Sequence, residues 1–232
     1  MIIAAALCPW PPLLVRELTG ADPVAADLRE ACGAAVRALL AAHPDVITVV
    51  GPATASAVWP AEGRLNIAAF GGRAAPPTGP AVPPSVGLGC YLLDQAGYAG
   101  PRRLLTVSQD EPPAACRQLG EEIAAAAART GLLVMADGSA RRGPRAPGHF
   151  DARAAAFDAE VERAVRGADL QALAAIDPAL ARELMATGRP AWQVLAGATR
   201  PAALRADVLY SGDPFGVMYL VAFFGRQLAD MG

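Results

Sequence analysis

The sequence contains no lysine, so all 20 of its basic residues are arginines. This absence excludes Schiff-base catalysis by a lysine amine and a phosphate-binding loop of the Walker type. Histidine is scarce as well, because only His43 and His149 are present. The four cysteines are scattered, without a C-x-x-C pair or a metal-ligand cluster. We therefore expect buried thiols in a reducing cytoplasm.

Long apolar runs and basic blocks are also missing. Hydrophobic residues make up 53% of the chain, yet no stretch of about 18–20 uninterrupted apolar residues occurs. The opening "MIIAAALCPWPP" has no basic region and its apolar run ends at Pro9, which favours a buried strand over a signal peptide. Arginines form only short pairs and the net charge is −2. We expect no membrane and no nucleic-acid partner.

Strand-like and helical segments alternate along the first half of the chain. The predicted strands are "MIIAAAL", "DVITVVG", "RLNIAAFGG", "RRLLTVSQD" and "GLLVMAD". Helices are predicted for "ADPVAADLREACGAAVRALLAAH", with Asp22 as N-cap, for "SVGLGCYLLDQAGY" and for "PPAACRQLGEEIAAAAART". Helices dominate from Asp151, a predicted N-cap, to Ala198, and two strands close the chain. The pattern predicts one α/β domain over residues 1–232, with a central, mostly parallel sheet and helices on both faces.

Ligands of such sheets bind beyond the carboxyl ends of the strands. The rule selects the loops Cys8–Pro12, Gly51–Trp59, Ser108–Pro112, Asp137–Arg142 and Ser211–Phe215. The Pro-rich segment Pro76–Pro84 is expected to be a surface loop, and its relation to the cleft is left open. His43 ends the first long helix, on the opposite side of the sheet, and His149 lies in a loop. The two histidines are therefore not expected to meet at one metal.

Several residues of these loops carry chemistry, and each also has a structural explanation. Asp110 and Asp137 follow strands and either bind a ligand or cap a turn. Ser139 lies in a D-G-S sequence that favours a turn and lacks the G-x-S-x-G pattern of a nucleophile. Arg141 and Arg142 either hold an anion or are solvated. Cys8 is either a buried thiol or a residue of the cleft wall.

The order of these pieces resembles the class III extradiol ring-cleavage dioxygenases, in particular the protocatechuate-type catalytic subunits. The resemblance spans most of the chain and rests on "PDVITVV", "LLVMADGS", "FDARAAAFDAEVERAV", "WQVLAGA" and "PFGVMYLVAFF". It implies an α/β sheet with Fe(II) at the carboxyl ends of its strands. Two histidines and one glutamate would hold the iron, and a further histidine would serve as acid and base.

None of these four residues is present at the matching position. Cys8 stands at the position of the first histidine, residues 52–54 (Pro-Ala-Thr) at that of the second, and Ala140 at that of the acid–base histidine. Gly-Arg-Pro, residues 188–190, occupies the position of the glutamate, and Glu183 is about one helical turn or more away.

We therefore expect a small dioxygenase-like protein with a degenerate metal site and no metal ligands of the usual kind. It would bind a small anionic or aromatic ligand in the cleft, and it would form a homo-oligomer. The alternatives are an active dioxygenase that keeps Fe(II) on unusual ligands, an enzyme that uses Cys8 or Asp137, and a non-catalytic scaffold. The expected cleft residues are Cys8, Thr54, Asp110, Asp137, Ser139, Arg141 and Arg142.

Overall fold

A computed structural model describes residues 1–20, 23–71, 79–199 and 204–225. Its strands are β1 (Ile2–Cys8), β2 (Val46–Ala53), β3 (Ala57–Trp59), β4 (Arg102–Ser108), β5 (Thr130–Met135), β6 (Arg205–Gly212) and β7 (Tyr219–Gly225). Its α-helices are α1 (Arg16–Thr19), α2 (Pro23–Ala41), α3 (Pro84–Gln95), α4 (Pro113–Ala125), α5 (Ala154–Arg166), α6 (Leu170–Ala174), α7 (Pro178–Glu183) and α8 (Arg189–Ala198). The strands form one sheet in the order β3-β4-β2-β5-β1-β7-β6.

The sheet is mixed. Its four central strands are parallel, because β2 pairs in parallel with β4 and β5, and β5 pairs in parallel with β1. The outer strands β3, β7 and β6 each pair antiparallel with their neighbours. The α/β class is thus confirmed, while the mostly parallel arrangement holds for the centre of the sheet and not for its edges. The central strands read as continuous apolar runs because both of their faces are covered.

Helices cover both faces, as the sequence predicts. One core contains Cys8, Val49 and Met135 of the sheet together with residues of α2 and α3. The other contains Leu7 and Val134 together with residues of α4 to α8. Alternate residues of one strand therefore enter different cores, since successive side chains of a strand point to opposite faces.

The strand predicted for "RLNIAAFGG" is wrong. Among its described residues, 64–71, only Arg64 pairs with another strand residue, in an isolated bridge with Ala81, and Ile67–Phe70 form a 3-10 turn. The segment lies over α3 instead, where a Cβ on Gly87 would come within 3.1 Å of the Leu65 Cα. The absence of a side chain at Gly87 therefore allows this segment to pass close to the backbone of α3.

Two predicted helix starts fare differently. Asp22, the predicted N-cap of α2, lies outside the described residues. Asp151 is not the N-cap of α5, because that helix begins at Ala154 with Arg153 at the N-cap. The Asp151 carboxylate instead accepts hydrogen bonds from the backbone and the side chain of Arg153.

No helix in the described ranges is both long and apolar enough to cross a membrane.

Candidate functional site

The carboxyl ends of β1 and β5 lie side by side, because Cys8 pairs with Met135 in the parallel register. The chain after β5, residues 137–142, crosses beyond the end of β1 toward β7. The Gly138 N–H donates to the Met218 carbonyl at 2.8 Å, and the Met218 N–H donates to the Ser139 carbonyl at 3.0 Å. The D-G-S sequence therefore does not form the predicted turn. It is held instead against the residues that precede β7.

Asp137 occupies the centre of this edge. Its Oδ1 accepts a hydrogen bond of 2.9 Å from the Trp10 N–H, and its backbone carbonyl accepts one of 2.9 Å from the Gly188 N–H. Its other carboxyl oxygen, Oδ2, has no hydrogen-bond partner among the described residues. Asp137 therefore joins the loop after β1 to the start of α8, and its Oδ2 can accept a further hydrogen bond.

Cys8, Asp137 and Tyr219 belong to the same face of the sheet. Cys8, Met135 and Tyr219 enter the core formed with α2 and α3, and Asp137 lies close enough to Tyr219 and Cys32 for its charge to raise their pKa values. The side chains of Cys8 and Tyr219 are buried, whereas that of Asp137 is partly exposed. The structure thus places Asp137 near Tyr219 and Cys32, and Cys8 in the core on the same side of the sheet.

Burial changes the acidity of this group. Loss of solvation raises the pKa of Asp137 to about 7, against the opposing effect of the Trp10 hydrogen bond. Burial, followed by the charge of Asp137, raises the pKa of Tyr219. The pKa of Cys32 on α2 is also raised, chiefly by burial and then by the neighbouring Cys8. Near neutral pH, the Asp137 carboxyl can therefore accept or donate a proton, while Tyr219 and Cys32 stay neutral.

Ser139 lies on the opposite face, away from Asp137. It is fully buried, its Oγ donates to Asp158 Oδ2 at 2.6 Å, and its N–H donates to Asp158 Oδ1 at 2.9 Å. Burial raises the pKa of Asp158, although both hydrogen bonds from Ser139 oppose the shift. This pair fixes the loop to α5 and leaves the Ser139 hydroxyl without access to a ligand.

The two arginines after Ser139 have different surroundings. Arg142 donates to Asp213 at 2.9 Å and lies 3.7 Å from Asp158, so its charge is already balanced by carboxylates. Arg141 forms no ion pair with any described residue, and its Nε is buried without a hydrogen-bond partner. A Cβ on Gly148 would lie 2.8 Å from the Arg141 Cγ, so its aliphatic part packs on that loop. Of the two arginines, Arg141 is therefore the one without an ion pair in the described part of the chain, although its charge helps to lower the pKa of Asp151.

The remaining predicted residues lie farther along the same edge, after β2 and β4. Thr54 is exposed and directly follows β2. Asp110 is also exposed, and its Oδ1 is 2.5 Å from Arg182 Nη2. Neither residue shares a hydrogen bond with Asp137. They form the outer part of the edge.

The residues at the positions where the resembled dioxygenases would hold iron do not fit Fe(II). Cys8 is buried and Thr54 is a poor ligand, while Ala140, at the position of the acid–base histidine, has no side-chain group that could carry a proton. Arg189, at the position of the glutamate, is a buried cation that donates to the carbonyls of Gln109 and Glu111. Within the described ranges, no group of three or more His, Cys, Asp or Glu side chains converges in a way that could hold a metal.

Sequence reasoning overlooked Trp10, Tyr219 and Asp158 as partners of the site. The order of the strands supplied a signal for Tyr219, because a strand antiparallel to β1 begins at the edge where β1 ends. No sequence pattern distinguishes Asp158 from the other carboxylates of α5.

Comparisons with known proteins identify no family. No protein-family model matches the chain, and the search of curated proteins found no relative. One similar solved structure is that of the uncharacterized protein JW3007 from Escherichia coli K12. It shares 12% identity and a TM-score of 0.49, over 96% of this chain and 100% of the other.

Proposed function

We propose that this dioxygenase-like protein binds a small aromatic ligand at the carboxyl edge of the sheet, without the iron of the family it resembles. The observation that supports the proposal most strongly is the free Oδ2 of Asp137, a partly buried carboxyl with a pKa near neutrality. Perturbed carboxyls of this kind are concentrated at functional sites.

The surroundings of Asp137 favour an aromatic hydroxyl compound over an anion. Trp10, whose backbone N–H donates to Asp137, is a half-buried aromatic residue, and Tyr219 lies close enough for the charge of Asp137 to raise its pKa. A phenolic hydroxyl would donate to Oδ2, and such a bond to a charged acceptor contributes about 1.5–3 kcal/mol. An anionic ligand would meet the negative charge of Asp137 and would depend on Arg141 for compensation.

Titration at several pH values separates the two ligand classes. Phenol or catechol should bind more tightly as the pH rises from 6 to 8, because ionised Asp137 is the better acceptor. Benzoate should bind more weakly over the same range, because two carboxylates repel each other. Isothermal titration calorimetry with both probes measures whether each affinity rises or falls with pH.

Matched variants locate the binding. Asp137→Asn should weaken phenol binding by about tenfold or more and abolish its pH dependence. Asp45→Asn is the control, since Asp45 is an exposed carboxylate just before β2, at the opposite edge. Equal effects of the two variants, or no saturable binding of phenol, catechol or benzoate, would overturn the proposal. If benzoate alone binds and Arg141→Ala removes it, the ligand is an anion.

A second candidate is acid–base catalysis by Asp137. A carboxyl with a pKa near 7 is suited to this role, since general acids and bases work best near the ambient pH. Cys8 is a weaker candidate because its side chain is fully buried. Alkylation of Cys8 no faster than that of a model thiol would exclude a nucleophilic role. Iron-dependent ring cleavage on unusual ligands finds no support in the residues that line this edge.

The oligomeric state and the scaffold role remain predictions. Phe150 lies a few residues after 137–142 in the chain, and Phe215 precedes Gly216, whose carbonyl accepts a hydrogen bond from the Arg142 N–H. The two rings are exposed to 61% and 51%. Apolar surface of this kind is consistent with the expected homodimer. Light scattering after size-exclusion chromatography tests it, and a monomer would contradict it.

A further inference from the structure

A second site lies outside the carboxyl edge, between α5 and the short helices α6 and α7. A cavity of about 410 Å³ opens there to the surface. Cavities of about 300–1,000 Å³ are typical of small-molecule sites. Its apolar wall is formed by Phe157, Val161, Ala164, Ile176 and Leu180.

The apolar wall results from the spacing of residues on α5. Phe157, Val161 and Ala164 recur at helical intervals and are buried. The neighbouring residue Asp158 points instead toward Ser139. One side of α5 therefore contacts the carboxyl edge through Asp158, and another side forms part of the wall of this cavity.

The mouth of the cavity is acidic. Three carboxylates, of Glu160, Asp169 and Asp177, stand there with one cation, Arg163, and all four residues are exposed. None of the four forms an ion pair within the described ranges. The Oδ1 atoms of Asp169 and Asp177 accept hydrogen bonds from the N–H groups of Ala172 and Ala179, which leaves each Oδ2 free.

We propose that this cavity binds a small amphipathic cation, with an apolar body against Phe157 and an ammonium group among the mouth carboxylates. Apolar burial supplies the affinity, and the excess of carboxylates over Arg163 supplies the selectivity for positive charge. The site is independent of Asp137.

Three probes of similar shape and different charge test the proposal. These are 2-phenylethylamine, 2-phenylethanol and 3-phenylpropionate, each titrated into the full chain by calorimetry or by protein NMR. The amine should bind more tightly than the alcohol, and the propionate most weakly. Equal binding of amine and alcohol, or preferential binding of the propionate, would overturn the assignment of a cationic ligand.

Variants connect the binding to the cavity. Glu160→Gln should weaken amine binding by about two- to fivefold and leave the alcohol unchanged, and Arg163→Gln should strengthen amine binding. Glu121→Gln on α4 is the matched control for an exposed glutamate. Ala172→Phe fills the cavity from an exposed wall position and should remove binding of both probes, whereas Asp137→Asn should not. Full amine binding by Ala172→Phe, or its loss in Asp137→Asn, would contradict the location.

Discussion

The Oδ1 of Asp137 accepts a hydrogen bond of 2.9 Å from the backbone N–H of Trp10. This bond joins the chain that leaves β5 to the chain that leaves β1. Because the two strands are adjacent and parallel, both chains emerge at the same edge. The bond leaves the second carboxyl oxygen without a partner in the described part of the chain, and this oxygen is the basis of the proposed function.

The raised pKa of Asp137 predicts a pH-dependent stability. Its pKa is about 7 in the folded chain and about 4 when unfolded, so between these values the folded state binds more protons. The stabilising contribution of the protonated Asp137 carboxyl to the free energy of unfolding is therefore complete below about pH 4 and is lost as the pH rises through 7. The free energy of unfolding of Asp137→Asn should equal that of the wild type at pH 4. At pH 8 it should exceed that of the wild type by up to about 4 kcal/mol.

Urea unfolding of both proteins at pH 4.5, 6 and 8 measures this difference. Since the two chains share every other titratable group, the difference isolates position 137. A difference that stays constant with pH would show that the Asp137 pKa is not raised.

Ser139 should contribute to stability and not to ligand binding. Ser139→Ala removes the buried hydroxyl that donates to Asp158 at 2.6 Å and should cost about 1–3 kcal/mol. Ser56→Ala is the control, because Ser56 donates to Glu111 in an exposed pair that should contribute little. Chemical denaturation measures the stability, and unchanged phenol binding by Ser139→Ala would confirm that the hydroxyl does not contact the ligand.

The crossing of α4 and α8 depends on two glycines. A Cβ on Gly197 would lie 2.1 Å from the Arg117 carbonyl oxygen, and one on Gly120 would lie 2.2 Å from the Val194 carbonyl oxygen. Gly197→Ala should therefore push the helices apart and destabilise the fold by about 1–3 kcal/mol. Gly143→Ala, where no atom lies within 4 Å of the added Cβ, should leave the midpoint of thermal unfolding nearly unchanged. Equal midpoints for the two variants would contradict this account of the packing.

Arg141 and Arg142 should behave differently when each is replaced by alanine. Arg142→Ala removes the cation beside Asp158 and Asp213 and should lower stability. Arg141→Ala loses no ion pair among the described residues, so its stability should change less, while any benzoate affinity should fall. Thermal shift with and without benzoate measures both effects, and identical behaviour of the two variants would contradict the distinction.

The hydrophobic patterns of the sequence predicted the buried central strands and the position of the loops that follow them. The apolar run of β5 and the β-branched run of β2 indicated buried strands, and the alternation of elements placed residues 137–142 at the carboxyl edge. The strand β3 has only three residues, none of them buried, so no apolar pattern in the sequence indicates its pairing with β4. Its formation depends on tertiary context, which no local window contains.

The sequence placed the candidate residues after strands, at the carboxyl edge of the sheet, but it did not predict the face on which each side chain lies. Asp137 lies near Tyr219 and Cys32, whereas Ser139 points to the other core. Strand alternation would place Asp137 and Ser139, two residues apart, on one face. The chain after β5 is not a strand, however, and its path depends on the bonds of Gly138 and Ser139 to Met218. The proton affinity of Asp137 likewise depends on burial, which the sequence does not specify.

The central claim is that the carboxyl edge works without the iron of the resembled family. The most direct measurement is metal content by mass spectrometry after anaerobic loading with Fe(II) and desalting, with Zn(II) and Mn(II) in parallel. The account predicts far less than one retained metal per chain for each ion, while phenol binding persists in the metal-free protein. Near-stoichiometric iron, lost in Asp137→Asn and kept in Asp45→Asn, would contradict the account and would make Asp137 a metal ligand.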